Sequence, residues 1–485
     1  MSTNAAAPNE LPANAPADFL KFNWKPQPAA QRIIDDLCAA FLSRNAFARR
    51  LADRMRDETG TRFKDWIDFI VVPSSDPLAK GLKERMVAAG YVNTPQPEAP
   101  GRYTNPLGLF PEILLQDGSP LGIAIKVDDA AFFVQAHDLH DADVGGPPLN
   151  QYRVANCKGA PDAWLVASER HGYRGYACPK ERVTPEGTRL AARAHLEKIC
   201  NRRRDFPTDA EGFAHLNTLL DAAIKDIGRD WACDIFFEGE RRFWMRRNRA
   251  GQVQYARQQK LGLGWANHDH HTYRSSRAAF PALIAVFEKL GFTLRERFYA
   301  GAEAQWGAQV AEQAVTGITT FNDVDMSPEE LLGDFSHEGF PEQRDRLGTV
   351  GLWCALHGEA ILQAGMHHLE CQFDWHALVA QLERDGGVKH MAPFTTFPYL
   401  RQAFTEGERW AVTPARIDAI LKSGMIDAKQ AELFRSEGAL GSHMENLERN
   451  DGFKGFNQQG VSDIIARTDA RRVAEMDSKA HAGAR

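Results

Sequence analysis

Apolar residues recur at helical spacing from Ala29 to Met55, where Ile33, Ile34, Leu37, Ala40 and Phe41, then Phe47, Leu51 and Met55, stripe one face. The period then changes. Trp66-Ile67-Asp68-Phe69-Ile70-Val71-Val72 is β-branched and aromatic, as a strand requires, and a helix over 77–89 stops at Gly90-Tyr91. The same phrase returns two hundred residues later. A strand pattern covers 267–273, Ser276 is placed to cap a helix, and Phe280, Leu283, Ile284, Phe287 and Leu290 line one helix face before Gly291-Phe292. Asp68, Ser74-Ser75 and Gly90-Tyr91 match Asp269, Ser275-Ser276 and Gly291-Phe292 at a constant offset of 201 residues, which points to two copies of one unit. Strand patterns follow each helix: 110–115 and 122–127 about an Asp117-Gly118 turn in the first copy, and 292–299, 306–312 and 317–321 in the second.

Strand, helix, then several strands resembles the βαβββ unit of the vicinal oxygen chelate fold, whose paired units curl into an open β cup around a metal. The expected class is therefore α+β, with added helices. Between the copies, 187–203 and 208–228 read as helices, whereas 231–237, 243–247 and 252–256 read as strands. Beyond 331 the pattern is mainly helical to 362, alternates briefly, and ends in helical pieces over 414–448. Residues 1–26, rich in Ala, Asn and Pro, read as a disordered leader, and 469–485 as a flexible tail. Residues 27–260 form an N-terminal α+β half that reads as a degenerate, metal-free copy, and 261–468 form the metal-binding, catalytic half.

Composition narrows the partners. With 58 basic and 64 acidic residues, the formal charge is −6, and no basic block stands out, which argues against nucleic acid or a membrane surface and for a small-molecule ligand. The 7 cysteines are scattered without a Cys-x-x-Cys pair, so neither a zinc ribbon nor a disulfide framework is expected, and a reducing cytoplasm fits. The leader lacks a basic start followed by an apolar core, and no apolar run is long enough to span a bilayer.

The densest chemistry lies in Asn267-His268-Asp269-His270-His271-Thr272-Tyr273-Arg274. On a strand, His268, His270, Thr272 and Arg274 share one face, which sets an imidazole ligand beside a guanidinium whose planar fork matches a carboxylate. The first copy carries Phe69 and Pro73 at the positions of His270 and Arg274. Met366-His367-His368-Leu369-Glu370 and Phe404-Thr405-Glu406-Gly407-Glu408 add further donors. Two imidazoles and one carboxylate drawn from strands form the facial set typical of non-heme Fe(II), which leaves positions open for substrate and O2. Each residue also has a plainer role. A histidine is more often structural than ligating, Glu406 and Glu408 beside Arg409 could be a solvated strand face, and Arg274 could pair with a neighbouring acid. Gly262-Leu263-Gly264 precedes a strand and lacks a later glycine, so no dinucleotide fingerprint is present.

His270-x-x-x-Arg274, His368-Leu369, and Phe404-x-Glu406-x-Glu408 followed by Val412-Thr413-Pro414 resemble the 2-oxoadipate dioxygenase/decarboxylase family, the 2-hydroxyglutarate synthases, over roughly residues 262–470. The resemblance implies Fe(II), with Mn or Zn as alternatives, on His270, His368 and Glu406, a substrate clamp at Arg274, and a pocket lined by Val461-Ser462. It also implies conversion of a 2-oxo acid to a shortened 2-hydroxy acid with O2 uptake and CO2 release. The chain departs from the family at His367 and Glu370, where Asn and Thr are usual, and in the shorter stretch from the carboxylate to Thr-Pro, which leaves Glu408 as an alternative to Glu406. Two other readings stand beside it: another metalloenzyme on the same cup, such as a ring-cleaving dioxygenase, lyase or isomerase, and a ligand-binding protein without catalysis.

Overall fold

The computed structural model describes residues 24–176, 183–301, 305–340, 346–457 and 468–471. Two helices, Pro28–Arg44 and Ala46–Thr59, open the chain as their apolar stripes require. The second ends at Gly60, whose φ of +64° suits glycine, and a Cβ there would lie 2.7 Å from the Leu378 backbone.

The first sheet contains β1 (Ile67–Val72), β2 (Val92–Asn93), β3 (Arg102–Thr104), β4 (Glu112–Leu115), β5 (Leu121–Lys126), β6 (Asp143–Gly145), β7 (Tyr152–Ala160) and β8 (Ala163–Arg170), in the order β2-β3-β4-β1-β5-β8-β7-β6. The second contains β9 (His268–Arg274), β10 (Thr293–Tyr299), β11 (Trp306–Gln313), β12 (Ile318–Asp325), β13 (His368–Gln372), β14 (Thr395–Phe397), β15 (Leu400–Phe404) and β17 (Ala439–Arg449), in the order β10-β11-β12-β9-β13-β17-β15-β14, with β16 (Glu408–Trp410) paired to β17.

These orders are the same path walked twice. In the first sheet β1 pairs β4 in parallel, β5 pairs β8 in parallel, and β1 meets β5 antiparallel. In the second, β9 with β12, β13 with β17, and β9 with β13 repeat those relations. Each sheet is thus a complete pair of βαβββ units. The repeat at offset 201 marks only the first unit of each pair; the second units, β5–β8 and β13–β17, complete the two open cups.

The stretch between the cups corrects the sequence reading. Residues 231–237 and 243–245 lie in one helix, Arg229–Met245, with 246–247 in the turn that follows it, and 252–256 lie in another, Arg249–Gln259. Aromatic content favoured strand, but Ala232, Cys233, Phe236, Phe237 and Trp244 are buried around a helix that packs against the outer face of the second sheet. The helices over Glu186–Cys200 and Asp209–Ile227 agree with the pattern. The C-terminal end differs again: helices Pro414–Lys422 and Ala428–Glu437 give way to β17, a central strand where helix was expected.

Candidate metal centre

Alternation along β9 divides its residues between two faces. His271 and Tyr273 turn outward onto the helices, with the His271 ring 4.9 Å from Phe237 and the Tyr273 ring 5.1 Å from Phe287. His270, Thr272 and Arg274 turn inward onto a cavity of about 60 Å³. A register shift between Glu370 and Cys371 on the partner strand interrupts the alternation, and His268 faces a separate cleft.

Across the cup, His270 pairs with Glu370 on β13, and Glu370 pairs with Glu445 on β17. One residue from each of three adjacent strands therefore stands at one level. Their donor atoms lie within 4.8 Å of one another, the arrangement among the described residues that could hold a metal ion. His368 is a fourth donor: its Nε2 lies 2.7 Å from Glu370 Oε1, while His270 Nε2 lies 3.4 Å from the same oxygen. The matching level of the first cup holds Phe69, Ala124 and Val166, all apolar.

The surroundings aim these donors. Asp269 accepts from His270 Nδ1 at 2.8 Å, which leaves Nε2 as the lone-pair nitrogen facing the carboxylates. Asp269 is itself held by Arg449 Nε at 2.8 Å and Nη2 at 3.0 Å, and by Gln372 Nε2 at 3.0 Å. Thr272 donates to Glu370 at 2.7 Å and Gln402 to Glu445 at 2.7 Å. Glu370 Oε2 and His368 Nδ1 remain buried without a protein partner.

Electrostatics supports a cation here. Glu370 is wholly buried and Glu445 is 2% exposed. Burial first, and then the charge of Glu445, drives the Glu370 carboxyl well above its usual range; burial pushes Glu445 up to about 8. Two facing buried carboxyls without a cation must retain a proton between them, and a divalent ion is the group that would replace it. Burial lowers His270 and His368, so both imidazoles are neutral and free to ligate. The residues fit a metal.

Arg274 lies on the same face, with Nε 3.6 Å from Asp323 Oδ2 and the guanidinium 5.7 Å from the Trp353 ring. Its Nε makes no hydrogen bond. Phe298, Trp306, Phe321, Phe394, Phe404 and Phe456 supply the apolar walls.

The structure therefore brings together His270, His368 and Arg274 and keeps Glu406 apart. β15 ends at Phe404, and the chain turns so that Glu406 is exposed, its backbone N–H bonded to Lys389 at 2.8 Å. Had the strand continued, the pleat would have carried Glu406 to the side of Phe404. Glu408 is engaged elsewhere, accepting from the Arg249 N–H at 2.8 Å at the start of a helix. Val461 and Ser462 lie outside the described residues. Glu445 was missed because Gly441-Ser442-His443-Met444-Glu445 sits in a stretch read as helix: Ala439–Arg449 has no β-branched or aromatic residue, and only the turn signals at Gly438 and Asn450-Asp451-Gly452 mark its ends.

No family model matches the chain, and no curated protein matches it. Among solved structures, a glyoxalase superfamily protein from Ralstonia eutropha JMP134 is 13% identical over 55% of this chain and 94% of its own, with a TM-score of 0.31. A mutant of 4-hydroxymandelate synthase from Streptomyces coelicolor is 13% identical over 86% and 99%, with a TM-score of 0.25. A fusion of a xylose isomerase-like TIM barrel with 4-hydroxyphenylpyruvate dioxygenase is 10% identical over 87% and 54%, with a TM-score of 0.22. Likenesses this loose do not decide chemistry. The doubled βαβββ architecture is read from the chain's own strand order, which is that of the vicinal oxygen chelate fold. No helix among the described residues is long and apolar enough to cross a membrane.

Proposed function

We propose that the second cup is the active site of a metal-dependent oxygenase acting on a small 2-oxo acid, which it converts with O2 to a 2-hydroxy acid one carbon shorter and CO2. The carrying observation is the level set of His270, Glu370 and Glu445 on three adjacent strands, with His368 within reach. These residues would hold the ion. Two carboxylates and a neutral imidazole suit Fe(II) or Mn(II), with Zn(II) less favoured as the carboxylate share rises. Bound there, Fe(II) would supply the Lewis acidity and one-electron chemistry that O2 activation needs.

The chain's own residues supply the rest. Arg274, whose Nε faces Asp323 at 3.6 Å, would offer the rest of its guanidinium to the substrate's remote carboxylate, in a cavity where burial makes charge-assisted bonds strong. Burial pushes the Asp323 carboxyl up against the pull of Arg274, which weakens its hold on the guanidinium and favours an anionic ligand there. Asp269 fixes the tautomer of His270, and the aromatic walls keep water from the reacting atoms. The overall change is redox-balanced without a further reductant, since both atoms of O2 enter the products.

The second carboxylate favours one other reading: a lyase or isomerase that needs only Lewis-acid polarisation. Purification without oxygen, reconstitution with Fe(II), and measurement of O2 uptake and CO2 release on a panel of 2-oxo mono- and dicarboxylic acids separate the two. Stoichiometric O2 uptake and CO2 release are expected. Turnover under strict anaerobiosis supports the lyase or isomerase and overturns the oxygenase.

A further inference from the structure

The cavity of the second cup has a charged end besides the metal donors. Arg274 closes β9 and is the register partner of Asp323 on β12, so the two side chains stand together, two pleats along β9 from His270. Both line the cavity, and they are 3% and 2% exposed. The gap of 3.6 Å from Arg274 Nε to Asp323 Oδ2 is longer than a hydrogen bond, and Asp323 Oδ1 has no partner among the described residues. A buried ion pair so loosely joined leaves both charges poorly satisfied, and a ligand seated beside them would complete it.

The groups around the pair do not complete it. Asp325, on the same strand, is taken up by the N–H groups of Gly348, Val350 and Gly351 at 2.7, 3.1 and 3.0 Å. Cys354, on the helix over Thr349–His357, and His367, just before β13, lie near Arg274; burial keeps the thiol protonated and the imidazole neutral. On β11, Ala308 stands opposite Asp323, and the nearby walls Phe298, Trp306 and Phe321 are aromatic. Arg274 is the charged group that acts on Asp323.

A substrate carboxylate placed on Arg274 would meet the Asp323 carboxylate across one guanidinium. Two anions sharing one cation away from water repel, whereas a proton on Asp323 turns the repulsion into an O–H donor. Burial already raises the Asp323 carboxyl to about 7, so that proton is available near neutral pH.

Resting on the 2-oxo acid reading above, we propose that Asp323 sets the charge selected at the substrate's remote end: it takes up one proton as a dicarboxylic 2-oxo acid binds and donates a hydrogen bond to the carboxylate that Arg274 holds. A 2-oxo acid without the second carboxylate binds with no such uptake. Asp323 is then a specificity-determining residue, and dicarboxylate binding weakens as pH rises through the range in which free Asp323 loses its proton.

Calorimetric titration of the Fe(II)-loaded full chain, without oxygen and in buffers of different ionisation enthalpy, counts the protons. The probes are 2-oxoglutarate and 2-oxopentanoate, which share chain length and chelating end and differ in the remote carboxylate. At about pH 8, wild type should take up about one more proton with 2-oxoglutarate than with 2-oxopentanoate, and its affinity for 2-oxoglutarate should fall by up to about tenfold per pH unit, the slope of one linked proton. Asp323→Asn, which keeps the shape and a donor but does not titrate, should bind 2-oxoglutarate without the extra proton and with a flat pH profile; the wild-type proton count decides alone if that variant does not fold. Equal uptake for the two acids, extra uptake retained by Asp323→Asn, or binding of 2-oxopentanoate alone overturns this proposal and leaves the 2-oxo acid reading in place. Binding of neither acid overturns both.

Discussion

Asp269→Asn is the most informative single substitution outside the proposed ligands. The carboxylate receives Arg449 through two nitrogens, His270 Nδ1 and Gln372 Nε2, all at 2.8–3.0 Å and all away from solvent. Burial opposes its charge, but Arg449 and then His270 hold it well below the usual carboxylate range. Asparagine keeps the shape, loses the charge, and turns an amide N–H₂ toward a donor. Two costs follow. Arg449 becomes a buried charge without its partner, a loss on the order of 3–5 kcal/mol in the metal-free protein. His270 loses the acceptor that fixes its tautomer, which should weaken metal binding by roughly 10–100-fold, or about 1.4–2.7 kcal/mol. Urea unfolding of metal-free protein reads the first term, and competition against a chelator reads the second. Gln372→Ala, which removes only one neutral donor, is the control and should cost about 1 kcal/mol. If Asp269→Asn binds metal within about threefold of wild type, a shift too small for a lost ligand-orienting bond, the orienting role is refuted.

Three other outcomes are expected. Arg274→Lys should keep the metal but raise the apparent substrate KM by roughly tenfold or more, because an ammonium cannot reproduce the fork; unchanged KM would leave Arg274 as a partner of Asp323 alone. Glu408→Ala should keep the metal and cost about 0.5–2 kcal/mol in thermal stability, since it removes the acceptor from the Arg249 N–H; loss of metal would return Glu408 to the ligand set. His171 is raised well above its usual value, against its burial, by Asp234 and Glu169, so its contribution is full below the unfolded value near 6.5 and fades as pH rises through the folded one. The stability gap between wild type and His171→Gln, measured by urea unfolding, should therefore narrow on going alkaline; a gap that widens would contradict the assignment.

Much of the second cup was legible because its signals are local. The run from His268 to Arg274 alternates, is bounded by turn residues, and carries unusual side chains, so one strand gave His270 and Arg274 together. The repeat at offset 201 was legible for the same reason: a strand, a helix and a glycine stop lie within one short window. The second unit of each pair was not, because the β5 and β13 units keep no matching phrase. The helix Arg229–Met245 imitated strand through Trp231, Ile235, Phe236 and Phe237, and only tertiary burial on several sides decides for helix. Glu445 required knowing that β17 returns to the centre of the sheet beside β13, a contact across 75 residues that no window contains. Glu406 looked better placed because it follows a real strand, but the strand stops two residues too early.

The central claim is that one metal sits on the inner face of the second cup, with Glu445 and not Glu406 as a ligand. Metal content per chain by mass spectrometry, on protein purified and reconstituted with Fe(II) without oxygen, tests it most directly. One ion per chain is expected in wild type and in Glu406→Ala, and essentially none in His270→Ala or Glu445→Ala, each checked as folded by circular dichroism. Two ions per chain, or metal retained by Glu445→Ala and lost by Glu406→Ala, would contradict the account.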